Sequence, residues 1–117
     1  MVIVVFRSRL RLDADLAALE AVGARMYELG TAMPGFVDYK EFAAEDGETL
    51  TLVEFETEEK LLAWRNHPEH VEVQARARAE FFTEYAITVS EMRRAYHFNP
   101  TDGRVQTLGE SSGSATP

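Results

Sequence analysis

A chain of 117 residues with 45% hydrophobic content holds one domain core and needs no staples to fold. With 12 Lys+Arg against 20 Asp+Glu, its formal charge of -8 excludes the broadly basic surface on which non-specific nucleic-acid binding and docking to anionic lipid depend. The absence of Cys excludes disulfides, thiolate metal ligands, a Cys nucleophile and iron–sulfur clusters.

The opening apolar run from Val2 to Phe6 is closed by Arg7. It is too short for a signal segment or a membrane span and follows no cationic stretch, so a cytoplasmic protein is expected. Residues 2–12 alternate, with Val2, Val4, Phe6, Ser8, Leu10 and Leu12 on one parity and Arg7, Arg9 and Arg11 on the other. Period two predicts a strand with one buried face. Asp13 is the expected N-cap, with Asp15 in the first turn, of a helix over about 14–32. Its apolar stripe runs through Leu16, Leu19, Gly23, Met26, Gly30 and Met33. Pro34-Gly35 ends it. Gly23, Gly30 and Gly35 form no phosphate loop; they are read as positions where this helix packs closely.

Phe36 to Ala43 and Thr49 to Phe55 predict an antiparallel hairpin about the turn Glu45-Asp46-Gly47-Glu48. Thr57 caps a short helix from Glu58 to about Asn66. His67-Pro68 breaks it, and Pro68 suits the first position of a second helix over about 68–81. Phe82 to about Ala95 predicts a fourth strand, with Tyr85, Ile87 and Val89 on one face. Beyond it Gly, Ser, Thr and Pro dominate, and residues 97–117 are expected to form a flexible tail.

The order strand-helix-strand, strand-helix-strand is the split βαβ arrangement of an α+β, ferredoxin-like fold with an antiparallel four-stranded sheet, here occupying residues 1–96. Helices cover only one face of such a sheet. Yet apolar residues stand on both parities: Ile3 and Val5 beside Val4 and Phe6, Leu50 and Leu52 beside Val53 and Phe55. Covering the second face calls for a second copy, so a homodimer packed through the open sheet face is expected.

No local motif announces the chemistry. The densest patch is Trp64-Arg65-Asn66-His67-Pro68-Glu69-His70, continued at helical spacing by Gln74 and Arg78. Two His three apart could ligate a metal, but Pro68 starts a new helix between them, so a cap is the simpler reading and no metal site is expected. Ser8 is the one hydroxyl on the apolar parity of the first strand; it must find a partner or line a cavity. Tyr27 and Tyr39 are further candidates to line a pocket. Arg7, Arg9 and Arg11 form either a strand face paired with acids or an anion-binding surface.

Pro34-Gly35-Phe36 after the first helix, the hairpin, Trp64 with His67-Pro68-Glu69-His70, and the aromatic last strand together resemble the antibiotic biosynthesis monooxygenase family over residues 1 to about 96. The resemblance implies a monomer of this fold that pairs into a dimeric α+β barrel. It implies either a cofactor-independent oxygenase converting a phenol-like small molecule with O₂, or a haem-degrading oxygenase. For the first, Trp64 and Tyr39 would stack on the ring, His70 or His67 would be the base, and Asn66 or Arg78 would hold its oxygens, with Ser8 and Gln74 in the pocket. For the second, Ser8 stands where haem-degrading members have Asn, and Gln74 where they have the iron-ligating His. The remaining reading is a non-catalytic dimer that binds a small ligand.

Overall fold

A computed structural model describes residues 1–109. The strand Val2–Leu10 (β1) leads into the helix Leu16–Thr31 (α1), the hairpin strands Phe36–Ala43 (β2) and Thr49–Phe55 (β3), the helices Glu58–Arg65 (α2) and Pro68–Glu80 (α3), and the strand Phe82–Glu91 (β4). The four strands form one antiparallel sheet in the order β2-β3-β1-β4, the split βαβ arrangement expected of the sequence. No described helix is long and apolar enough to cross a membrane.

The punctuation of the chain is chemical. The N-cap of α1 is Asp15, whose carboxylate accepts from the Ala18 N–H at 3.1 Å. Asp13, the expected cap, instead pairs with Arg11 at 3.0 Å. Thr57 caps α2, accepting from the Lys60 N–H. His67 caps α3, its Nδ1 accepting from the Glu69 N–H at 3.2 Å, with Pro68 in the first turn. Gly35 turns the chain out of α1 at φ +84, and a Cβ there would stand 2.3 Å from Lys60 Cδ, so only glycine fits. Of the other glycines on α1, Gly30 is buried against the Trp64 ring, whereas Gly23 is exposed with nothing near it. Within α1 itself the close approach is made at Gly30, and just beyond its end at Gly35.

Beyond β4 the structure departs from the expected tail. Ala95–Asn99 (β5) and Gly103–Leu108 (β6) pair as an antiparallel hairpin. Its turn is built by Asn99, whose side-chain oxygen accepts from the N–H groups of Thr101 at 2.9 Å and Asp102 at 2.7 Å, and by Gly103 at φ +70. The fourth strand accordingly stops at Glu91 rather than near Ala95. The part of the expected tail from 110 to 117 lies outside the described residues.

Register sorts the side chains. Val2, Val4, Phe6 and Ser8 face Phe55, Val53, Thr51 and Thr49 across one ladder and Glu91, Val89, Ile87 and Tyr85 across the other. Directly opposed residues share a face, so this set looks toward the helices. Ile3, Val5, Leu50, Leu52, Phe42 and Ala86 share the other face, which no helix covers. Arg7 and Arg9 lie there too, paired with Glu48 and Asp46 at 2.8 Å each; Arg9 also reaches Glu84 at 3.4 Å. The arginine stripe is thus an ion-paired strand face.

Candidate functional site

The helix-facing side of the sheet has two unlike ends. Val2 and Ser8 are six residues apart on β1, roughly 20 Å along an extended strand. At the Val2 end lies the hydrophobic core: Val2, Phe55, Leu61 and Trp64, packed by Met26, Leu29, Met33 and Phe36. Trp64 belongs to this core. The His70 ring stacks on its indole at a centroid distance of 4.2 Å and 10° between planes, and the Gly30 backbone abuts its six-membered ring. An indole held this way is a wall, not a free platform.

His70 is positioned by that wall. Its Nδ1 lies 3.2 Å from the Trp64 carbonyl oxygen. A carbonyl can only accept, so Nδ1 carries the proton and Nε2 the lone pair. Burial pushes the imidazole below its ordinary value despite the backbone carbonyl contacts that oppose it, so the neutral ring is favoured. His67 stands 5.9 Å from the Trp64 ring, with its Nδ1 committed to capping α3.

Toward Ser8 the packing opens. Ser8 is 5% exposed and pairs in register with Tyr85. Phe6 touches Phe82 at 5.7 Å and Tyr85 at 5.4 Å, giving an aromatic floor. Arg78 Nη1 donates to the Tyr85 hydroxyl at 3.2 Å. Back along β4 toward the Val2 end, opposite Phe6 and Val4, Ile87 is 54% and Val89 45% exposed, so the uncovered apolar surface follows the β4 edge of the sheet. Along α3, His70, Gln74 and Arg78 recur every four residues, which places them on one side of the helix over about 12 Å of rise. His70 and Gln74 are partly buried and Arg78 is exposed. The floor strip from β1 and β4 meets the α3 row at the Arg78–Tyr85 hydrogen bond, whereas His70 at the other end of the row stacks on Trp64.

The remaining candidates fall elsewhere. Tyr39 lies on the helix side of β2, edge-to-face with Tyr27 at 5.3 Å, and burial with the nearby Glu41 carboxylate keeps its hydroxyl protonated. Asn66 is exposed at the C-cap of α2, its N–H donating to the Leu62 carbonyl. So Ser8 and Arg78 come together, Trp64, His67 and His70 come together, and Tyr39 and Asn66 join neither group. Reading the sequence passed over Phe6 and Phe82 and used Tyr85 only as a strand marker; their shared parity across β1 and β4 was the signal available. A separate groove of about 230 Å³ runs between α1 and α3, bridged by Arg25 and Glu69 at 2.9 Å.

The side chains present do not fit a haem ligated in the expected way. The position for an iron ligand holds the Gln74 amide, a weak donor toward iron, and His70 is stacked on Trp64 with one nitrogen bound to a carbonyl.

The fold recurs in solved structures. Rv0793 of Mycobacterium tuberculosis superposes with a TM-score of 0.68 at 25% identity, over 78% of this chain and 93% of that one. A Deinococcus radiodurans protein gives 0.73 at 15% identity, over 85% and 99%. SnoaB of Streptomyces nogalater, a cofactor-independent oxygenase, gives 0.66 at 18% identity, over 80% and 94%. Among curated sequences, the uncharacterised protein YqjZ of Bacillus subtilis is 27% identical over 70 residues, which is 60% of this chain; the match spans 61% of the length of YqjZ. The family model for antibiotic biosynthesis monooxygenases matches residues 1–76, and with the split βαβ sheet beneath that match the chain belongs to this family.

Proposed function

We propose that the protein is a cofactor-independent monooxygenase that oxidises a flat aromatic small molecule, such as an anthrone or a hydroquinone, with O₂. One observation carries the reading: α3 sets a neutral imidazole with a defined lone pair at His70, and an Arg78–Tyr85 hydrogen-bonding pair two turns on, along one apolar floor. The proposed substrate is a ring system lying on Phe6 and Ile87 beneath α3. Membership of the monooxygenase family and the likeness to SnoaB support it.

In this reaction the His70 Nε2 takes a proton from the activated ring position, and the resulting carbanion-like ring gives electrons to O₂. A carbon–oxygen bond forms, and the peroxide then loses water. For an anthrone, a CH₂ group and O₂ become a C=O group and H₂O: the carbon is oxidised, one oxygen atom enters the product and the other is reduced to water. Arg78 and the Tyr85 hydroxyl stabilise the phenolate oxygen, and Ser8 offers a further hydroxyl. Trp64 acts through His70, holding its ring and its tautomer, and is a positioning residue. The enzyme works as a homodimer through the open sheet face and resides in the cytoplasm.

Oxygen uptake with an anthrone tests the proposal, using protein free of added metal, flavin or haem. Consumption of O₂ above the protein-free rate is expected, with one labelled oxygen from ¹⁸O₂ in the product. His70→Gln is expected to lower kcat by about a hundredfold, the lower range for loss of a general base. Uptake at the protein-free rate, or an unaltered kcat in His70→Gln, contradicts the proposal.

A further inference from the structure

We propose that the cleft between the end of β4 and the start of β5 binds a phosphoryl group, held by Arg93, Arg94 and the Tyr96 hydroxyl. This inference concerns a second ligand site and stands whether or not the oxygenase reading holds.

The cleft measures about 550 Å³ and is lined by Glu91, Arg93, Arg94, Ala95 and Tyr96. That size is ordinary for a small-molecule site. Its charge sets it apart from the rest of the chain. Residues 1–92 hold 9 Lys+Arg against 18 Asp+Glu, whereas residues 93–109 hold Arg93, Arg94 and Arg104 against Asp102 alone. Asp102 is occupied in the hairpin turn, accepting from the Asn99 amide at 2.9 Å. In the body of the protein Arg7, Arg9, Arg11, Arg25 and Arg76 each pair with a carboxylate. Arg93 and Arg94 pair with none among the described residues. The acid on the cleft wall, Glu91, is matched by the Met1 ammonium at 3.3 Å. Neighbouring guanidinia without acids repel each other, and an anion placed between them reverses the sign of that interaction.

The segment that carries these arginines is braced. Gly109 passes so close to it that a Cβ there would stand 2.4 Å from the Arg93 carbonyl oxygen and 3.0 Å from Arg94 Cγ. The backbone beneath both side chains is thus fixed before a ligand arrives, which lowers the ordering cost of binding.

Tyr96 completes the wall. The Arg104 guanidinium carbon lies 4.5 Å from the centroid of its ring and adds a third positive charge. The Tyr96 hydroxyl is buried and makes no hydrogen bond to any described residue. Buried polar groups are nearly always paired, so an orphaned donor beside a cationic cleft calls for an acceptor. A phosphoryl group carries about −1.5 to −2 charge and three strong acceptor oxygens, a match for two guanidinia and one hydroxyl. A carboxylate has a single charge and two oxygens, and satisfies this donor set less well.

Isothermal titration calorimetry on the full chain, in chloride buffer of constant ionic strength, tests the site with phenyl phosphate and inorganic phosphate as probes. One phenyl phosphate is expected to bind per chain, and Arg93→Gln/Arg94→Gln to weaken it roughly a hundredfold, the loss of two charge-assisted contacts. Tyr96→Phe removes only the orphaned hydroxyl. It is expected to melt no lower than the wild type and to bind about tenfold more weakly. Arg65→Gln, which removes another arginine without an acid partner at the end of α2, is expected to leave binding unchanged. Tighter binding of the ester assigns an organic phosphate and equal binding assigns the free ion; both uphold the site. Absence of binding overturns the proposal, as does benzoate binding as tightly as phenyl phosphate. So does wild-type affinity in Tyr96→Phe or in the double arginine variant, or an Arg65→Gln chain that loses as much affinity as that double variant.

Discussion

The two ends of the helix-facing side share one sheet and one set of helices, yet differ in what their aromatic residues do. At the Val2 end, Trp64 is enclosed by Gly30, His70 and the core, and its value lies in packing. At the Ser8 end, Phe6, Phe82 and Tyr85 cluster, and along the β4 edge that runs from them back toward Val4, Ile87 and Val89 stay exposed. A conspicuous residue such as a lone Trp is therefore a poor guide to where a ligand sits. The better guide is a mixed surface: a buried serine, an arginine on a tyrosine hydroxyl, and exposed aliphatic side chains beside them.

Substitutions separate the two ends. Trp64→Ala removes a large core side chain and is expected to lower stability by about 3–5 kcal/mol, whereas Ile87→Ala, on exposed surface, is expected to shift it by no more than about 0.5–1 kcal/mol; denaturant titration of both variants checks the contrast. If Ile87→Ala matches Trp64→Ala, the strip is core and the distinction between the ends fails. Gly35→Ala comes next, at about 1–3 kcal/mol, because it forces a side chain into a left-handed conformation against Lys60; a thermal melt reads it.

The pH dependence of stability sharpens the packed end. His70 is held below its ordinary value, so the unfolded chain binds its proton more readily than the folded one. Stability from this group is therefore complete above about pH 6.5. It declines as the pH falls below that value and levels off once the folded ring is protonated as well. The melting temperature of the wild type should drop on acidification more steeply than that of His70→Gln; parallel curves would remove burial as the cause. The smallest effect belongs to the arginine stripe. Arg7→Ala breaks an exposed pair with Glu48 and should leave the melting temperature unchanged at physiological salt.

Much of this fold was legible in alternation and capping chemistry. The parities of Val2, Val4 and Phe6, the Pro34-Gly35 stop and the His67-Pro68 break specify the elements because each reflects a local steric or hydrogen-bonding rule. Asp13 and Asp15 compete for the same cap, and only the path of the chain past Arg11 decides between them. The β5–β6 hairpin is hidden by composition: Asn99-Pro100-Thr101-Asp102-Gly103 has the residues of a tail, yet, flanked by Tyr96 and Phe98 before and Val105 and Leu108 after, it is a turn between two short strands. The site was less legible. Helical spacing connects His70, Gln74 and Arg78 in sequence, but only the β1–β4 register sets Tyr85 beside Ser8, and no local pattern encodes a pairing across 76 intervening positions of chain.

The central claim, that ligand binds along the open strip while Trp64 serves the core, is tested most directly by amide chemical-shift mapping during titration with a flat tricyclic quinone, the product of the proposed reaction. The account predicts the largest perturbations at Ser8, Arg78, Tyr85 and Ile87, with His70 at the boundary and little change at Leu61 or Phe55. Perturbations centred on Trp64 and its core neighbours, with Ser8 and Tyr85 unmoved, would contradict it.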